Sequence, residues 1–199
     1  MAPISTAYLS IDDVFTTKRG SKIARVLDAA NIDTKHCVYM PGVKLRAPFD
    51  ASTFDKNPDA MRLNLQLSLE NTYVRSEIET FEVWLKQYLA AHSDRIFKKH
   101  LSLAEIEVGY TSCMRESDTR PTLLKVKIDR EGFSPVRCWD PQGEAMSPPE
   151  SWKNLLIEAR IHISHLWCMG AQFGVVMQLT DAKIHESPET ALQQRANPF

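Results

Sequence analysis

The 199-residue chain is 43% hydrophobic and 25% charged, ordinary values for a folded globular protein and long enough to bury a core without disulfides or metal. Its formal net charge is −1, which excludes a strongly basic whole protein but not a basic face balanced by acid elsewhere. Lys18 to Arg62 carries nine Lys and Arg against five Asp, whereas Glu70 to Glu107 carries seven acids against five bases, so the charges are mildly segregated.

The N-terminal MAPISTAYLSIDDVF lacks a basic stretch followed by an apolar one, and no run approaches a membrane span, so the expectation is a soluble intracellular protein of nucleus or cytoplasm. Up to Lys22 the chain reads either as an ordered strand or as an arm. Val43, Leu45 and Ala47 then alternate with Lys44 and Arg46, the period-2 signature of a strand with one buried face. The segment Arg46 to Pro58 reads as a connection. From Met61 to Glu70 the alternation is cleanest, with Met61, Leu63, Leu65, Leu67 and Leu69 on one side and Arg62, Asn64, Gln66, Ser68 and Glu70 on the other.

A helix is predicted from Tyr73 to Ala91, where Val74, Ile78, Phe81, Trp84, Leu85, Tyr88 and Leu89 recur at helical spacing. Ser102 and Glu105 have the spacing of a capping box and predict a second, shorter helix. In Leu123 to Asp129, Leu124, Val126 and Ile128 turn inward while Lys125 and Lys127 share the opposite face. Asp129 to Pro135 and Pro141 to Pro149 read as connections. Ile157 to Ile163 alternates with Glu158, Arg160 and His162, and Phe173 to Ile184 has the apolar character of a central strand. Residues 1–185 therefore read as one domain and 186–199 as a tail. Strands, a helix and more strands, without a βαβ rhythm, predict a mainly β fold with an inserted helix (α+β), such as an OB-like antiparallel Greek-key barrel.

The chemistry of catalysis is thinly represented. With seven glycines, neither GxGxxG, GxxxxGK[ST] nor GxSxG occurs. Cys37, Cys113, Cys138 and Cys168 are 76, 25 and 30 residues apart and read as free thiols. His162 and His165 are spaced for a helix face but fall in a predicted strand, and the adjacent His36 and Cys37 would point to opposite faces of one. Asp12 and Asp13, or Glu77 and Glu79, sit where helix-end compensation or solubility explains them. No metal, cofactor or catalytic residue is expected.

Basic residues on predicted exposed strand faces are a different matter. Lys44, Arg46, Lys125, Lys127 and Arg137 are placed to face solvent, with Tyr39, Tyr110 and Trp139 nearby in sequence. Cations that track phosphates and rings on which bases stack are the two requirements of a groove for single-stranded nucleic acid. Strand faces also carry Lys and Arg for solubility. Trp167 and Phe173, flanking a glycine-containing turn, read as core.

The C-terminal half, VGYTSCMRESDTRPTLLKVKID, then PVRCWDPQGE, then LIEARIHISHLWCMGAQFGVVMQLTDAKIH, resembles a family of OB-fold single-stranded DNA-binding proteins of large eukaryotic DNA viruses and mobile elements. The likeness covers about 80 of the 199 residues and is carried by Tyr110 and Arg115, by Pro121 with the Leu124–Ile128 strand, by Trp139 and Asp140, and by Leu166, Trp167, Phe173 and Gly174. It implies sequence-independent binding of single-stranded DNA in replication or recombination, in the host cell if the protein is viral. Lys44, Arg46, Arg115, Lys125, Lys127 and Arg137 would then meet phosphates, with Tyr110 and Trp139 as stacking platforms. Many single-strand binders end in an acidic tail with a terminal Phe that recruits replication proteins. This chain ends in Asn197, Pro198 and Phe199 but carries only Glu186 and Glu189 as acids there, together with Arg195. A homo-oligomer is left open. Two alternatives stand beside this reading: a β-sandwich interaction or structural module, such as a virion or scaffold component, and a hydrolase whose site is assembled from dispersed acids.

Overall fold

The computed structural model describes residues 6–18, 20–28, 37–53, 57, 60–131 and 134–185, without the side chains of 28 and 37–42. Phe199 and the tail from Glu186, His36, and the side chains of Cys37 and Tyr39 therefore lie outside the described residues.

The N-terminal stretch forms three strands, β1 (Leu9–Ile11), β2 (Phe15–Thr16) and β3 (Lys22–Asp28), followed by β4 (Cys37–Arg46) and β5 (Arg62–Ser68). Three helices come next: α1 (Thr72–Ala91), α2 (Ser93–Phe97) and α3 (Leu103–Gly109). The rest is β6 (Met114–Arg115), β7 (Leu123–Asp129), β8 (Arg137–Trp139), β9 (Ala145–Met146) and a long hairpin of two 14-residue strands, β10 (Leu156–Met169) and β11 (Gln172–His185). Among the described residues, no helix is long and apolar enough to cross a membrane.

The sheet runs β1-β3-β10-β11-β7-β5, with β2, β4, β6, β8 and β9 attached off this path. The long hairpin is its spine. One edge of β10 is shared by two strands: Arg46, Leu45 and Lys44 of β4 pair opposite Leu156, Ile157 and Glu158, while β3 pairs along His165–Cys168. β11 meets β8 along Asp181–Lys183 and β7 at Gln178, both in parallel. The expectation of purely antiparallel pairing is corrected there, because neither β7 nor β8 joins β11 by a tight turn, and a crossover connection leaves parallel contact available.

The pairing of β5 with β7 sorts residues by polarity. Leu63, Leu65 and Leu67 oppose Ile128, Val126 and Leu124 on the inner face; Arg62, Asn64 and Gln66 oppose Asp129, Lys127 and Lys125 on the outer one. Helix α1 starts at Asn71, whose side chain accepts from the amides of Tyr73 and Val74. It buries Val74, Ile78, Phe81, Leu85 and Leu89 in one core cluster with the inner face of the sheet. The box predicted at Ser102 is present and opens α3.

Two register shifts in the spine, at Arg160/Ile161 and Ile163/His165, decide what the outer face displays. Across the first, Ile157, Ala159, Ile161 and Ile163 stay buried; beyond the second, Leu166 is buried and Trp167 is not. A bulge adds one residue and exchanges the two faces of the strand beyond it.

Candidate nucleic-acid interface

The outer face near the hairpin turn gathers side chains from four strands. Trp167 lies opposite Gly174, and a Cβ at Gly174 would stand 3.0 Å from the indole Nε1 and 2.5 Å from the Thr111 carbonyl oxygen. Only glycine lets the indole ring and the 111–113 loop approach the strand this closely. A cleft of about 170 Å³ opens beside the ring, lined by Asn64, Lys125, Lys127, Trp167, Val176 and the 111–113 loop.

The two lysines have neutral partners. Lys125 Nζ donates to the Ser112 carbonyl oxygen at 3.1 Å, and Lys127 Nζ donates to Asn64 Oδ1. Burial, with a lesser contribution from Arg62, holds the Lys127 ammonium below its ordinary range. His165, on the same face and opposite Arg25 and Val176, is likewise held below the ordinary histidine value by burial first and Arg62 second. The arginines are compensated: Arg62 makes a two-pronged pair with Asp129 at 2.5 and 3.1 Å, and Arg25 lies 2.6 Å from Asp12. Four fixed cations against two carboxylates leave the patch basic.

The 111–113 loop is held from below by a buried carboxylate. Glu82, on the inward side of α1 and 7% exposed, accepts from Tyr110 Oη at 3.0 Å, from Ser112 Oγ at 2.9 and 2.8 Å, and from the Cys113 amide at 2.8 Å. Satisfying a buried carboxylate with several donors fixes the donors as firmly as the acceptor. Burial and the Glu82 charge push both the Tyr110 hydroxyl and the Cys113 thiol well above their usual values.

Of the residues singled out in the sequence, Lys125 and Lys127 meet in this cleft. Tyr110 does not join them; its hydroxyl is committed to Glu82 and its ring centroid lies 6.3 Å from that of the core residue Phe173. Arg115 is exposed on β6, paired opposite Leu123. Lys44, Arg46, Arg137 and Trp139 lie toward the other end of the hairpin: Trp139 opposes Lys183, nine residues along β11 from Gly174 and on the order of 30 Å by strand rise. There Asp181 pairs with Arg137 at 2.7 Å, with Arg160 at 3.9 Å, and Glu158, opposite Lys44, lies 3.0 Å from His185 Nε2. Phe173 is core, as read from the sequence, but Trp167 is turned to the open face. Glu82 was missed, although a carboxylate on the apolar stripe of α1 was a signal in plain view.

A larger cleft of about 610 Å³ is lined by Asp50, Glu131 and Glu150 with Arg130 as its base, an acidic lining that repels phosphate. Among the described residues, no group of three His, Cys, Asp or Glu side chains is placed to hold a metal. Burial pushes the Cys138 and Cys168 thiols up to about 11, so neither is an activated nucleophile.

No family model matches the chain, and no curated protein matches it. Among solved structures it is similar to the single-stranded DNA-binding protein from bacteriophage Enc34 in complex with ssDNA, at 5% identity and a TM-score of 0.49, over 88% of this chain and 95% of that one. A likeness at that level says nothing about function, which has to come from the chain's own residues.

Proposed function

We propose that the protein binds single-stranded DNA on the outer face of β5, β7, β10 and β11, without catalysis. The observation that supports this most is the meeting, in one narrow cleft, of two lysines that have only neutral partners with a half-buried indole on a glycine floor. The lysines take phosphates and Trp167 takes a base; stacking contributes on the order of 1–3 kcal/mol per base and tolerates any sequence, since every base has a flat face. Arg25, Arg62 and His165 extend the basic ground on either side.

In this reading residues 1–185 act as one OB-like binding domain working in replication or recombination, and the tail ending in Phe199 docks partner proteins. The outward-facing Arg115, Lys44, Arg46, Arg137 and Trp139 form an outer margin that longer strands reach. The competing reading as an interaction module has its own support in Val108 and Met169, exposed at 90% and 70%.

The deciding experiment is a titration of labelled oligo-dT of about 30 nucleotides at low and moderate salt, with a duplex control. The expected result is strand-selective binding that weakens as salt rises. No binding at low salt, together with a concentration-dependent oligomer, would replace this reading with the interaction module.

A further inference from the structure

We infer that Phe15, on the two-residue strand β2, is a second stacking position of the same interface, so that bound DNA crosses the sheet from β7 to β2; this rests on the single-strand reading just given. The register carries the inference. Phe15 pairs opposite Ile23, Ile23 opposite Trp167, and Trp167 opposite Gly174. Residues paired directly across antiparallel strands project from the same face, so these four make one row on the outer side of the sheet. Ala24 and Leu166, next to Ile23 and Trp167, are fully buried on the other side.

Along that row the rings become more open toward the edge: Trp167 and Ile23 are half-buried and Phe15 is 43% exposed. Ile23 is the apolar floor between two aromatic faces. At strand spacings of about 4.8 Å, Phe15 and Trp167 stand about 10 Å apart, and the path from β2 to β7 measures about 19 Å, a span fitted to a few nucleotides. The neighbouring row supplies Arg25 beside His165, which places a cation along this path.

A single exposed Phe on a surface is ordinary, but this one sits on a tethered ribbon. The Thr17 amide donates to the Ser21 carbonyl at 2.8 Å and the Gly20 amide to the Thr17 carbonyl at 2.9 Å, closing the β2–β3 turn with Gly20 at φ 83°. The Val14 amide, just before β2, donates to the Ile96 carbonyl of α2 at 3.4 Å. The backbone that carries Phe15 is thereby fixed, in the same cross-strand row as Trp167.

The test compares the full-length wild type with F15A, F15L and F15W in the oligo-dT titration. F15A and F15L should each weaken binding about 5- to 100-fold with the slope of affinity against salt unchanged, because a stacked ring and not a phosphate contact is lost. F15W should bind within about threefold of wild type. Should F15A be unstable, F15L keeps an apolar side chain of similar bulk without a flat face and decides the matter. Wild-type binding with F15L unaffected overturns this inference alone; failure of the wild type to bind overturns the single-strand reading as well.

Discussion

Replacing both Lys125 and Lys127 by Ala is the perturbation whose size follows most directly from the site. Each ammonium is bonded to a neutral group, so no carboxylate partner offsets its charge toward an incoming phosphate. Each cation that neutralises a phosphate of a single strand contributes about 0.7 to the slope of log affinity against log salt, so the double variant should lower that slope by about 1.4. Taking 1 M salt as the point where this contribution vanishes, the loss is about 25-fold at 0.1 M, or about 1.9 kcal/mol, and about fivefold at 0.3 M. The assay is fluorescence anisotropy on oligo-dT at three or more salt concentrations. Thermal unfolding should be nearly unchanged, since Lys125 is exposed and neither lysine is ion-paired to an acid. A control variant, K44A/R137A, removes two cations from the outer margin at the other end of the hairpin, where Asp181 and Glu158 stand beside them, and should lower the slope far less. Parallel salt plots for wild type and K125A/K127A, or an equal effect in the control, would refute the assignment.

Asn64→Asp should keep the hydrogen bond that positions Lys127 while cancelling its charge; the expected result in the same titration is a loss of about fivefold at 0.1 M salt, with the slope lower by about 0.7. Glu82→Ala would strand the Tyr110 hydroxyl, the Ser112 hydroxyl and the Cys113 amide together, costing about 3 kcal/mol and a melting point lower by about 6–12 °C in a calorimetric scan. His165, held below its ordinary pKa by burial and Arg62, binds protons less readily folded than unfolded. Stability is thus fully present above the unfolded value of about 6.5 and is lost as pH falls below it, whereas an anion on the patch favours the protonated ring, so oligo-dT affinity should rise over the same fall in pH. His165→Gln should remove this part of both pH dependences, measured by melting curves and by anisotropy.

The sequence discloses this fold where one rule governs a whole segment. β5 and β7 keep one face in the core along their length and carry Arg62, Asn64, Gln66, Lys125 and Lys127 on the other, so their alternation could be read residue by residue, and both lysines fall on the outer face by parity alone. The same rule fails for Trp167. Counting by twos from the buried Ile157, Ala159, Ile161 and Ile163 puts Trp167 in the core; the bulge between Ile163 and His165 turns Leu166 inward and Trp167 outward. No local residue preference announces that bulge. Phe15 was illegible for another reason, because a strand of two residues has no period to detect. Trp139 and Arg137 failed as partners of Lys125 through distance: closeness in sequence gives no sign that β8 joins β11 far from the turn.

Those two ends of one hairpin also differ in what holds their cations. Around β8 and β4 the outer-face cations stand beside carboxylates, with Asp181 between Arg137 and Arg160 and Glu158 between Lys183 and Lys44 in register. Around β5 and β7 the lysines are positioned by a carboxamide and a backbone carbonyl. A carboxylate would fix a lysine just as well but would cancel its charge, and a bare lysine would keep its charge but lose more side-chain freedom on binding. A neutral acceptor avoids both penalties. On the single-strand reading, the choice of Asn64 and the Ser112 carbonyl as partners, with Glu82 holding Ser112 in place from the core, is what sets this part of the sheet apart from one more solvated strand face.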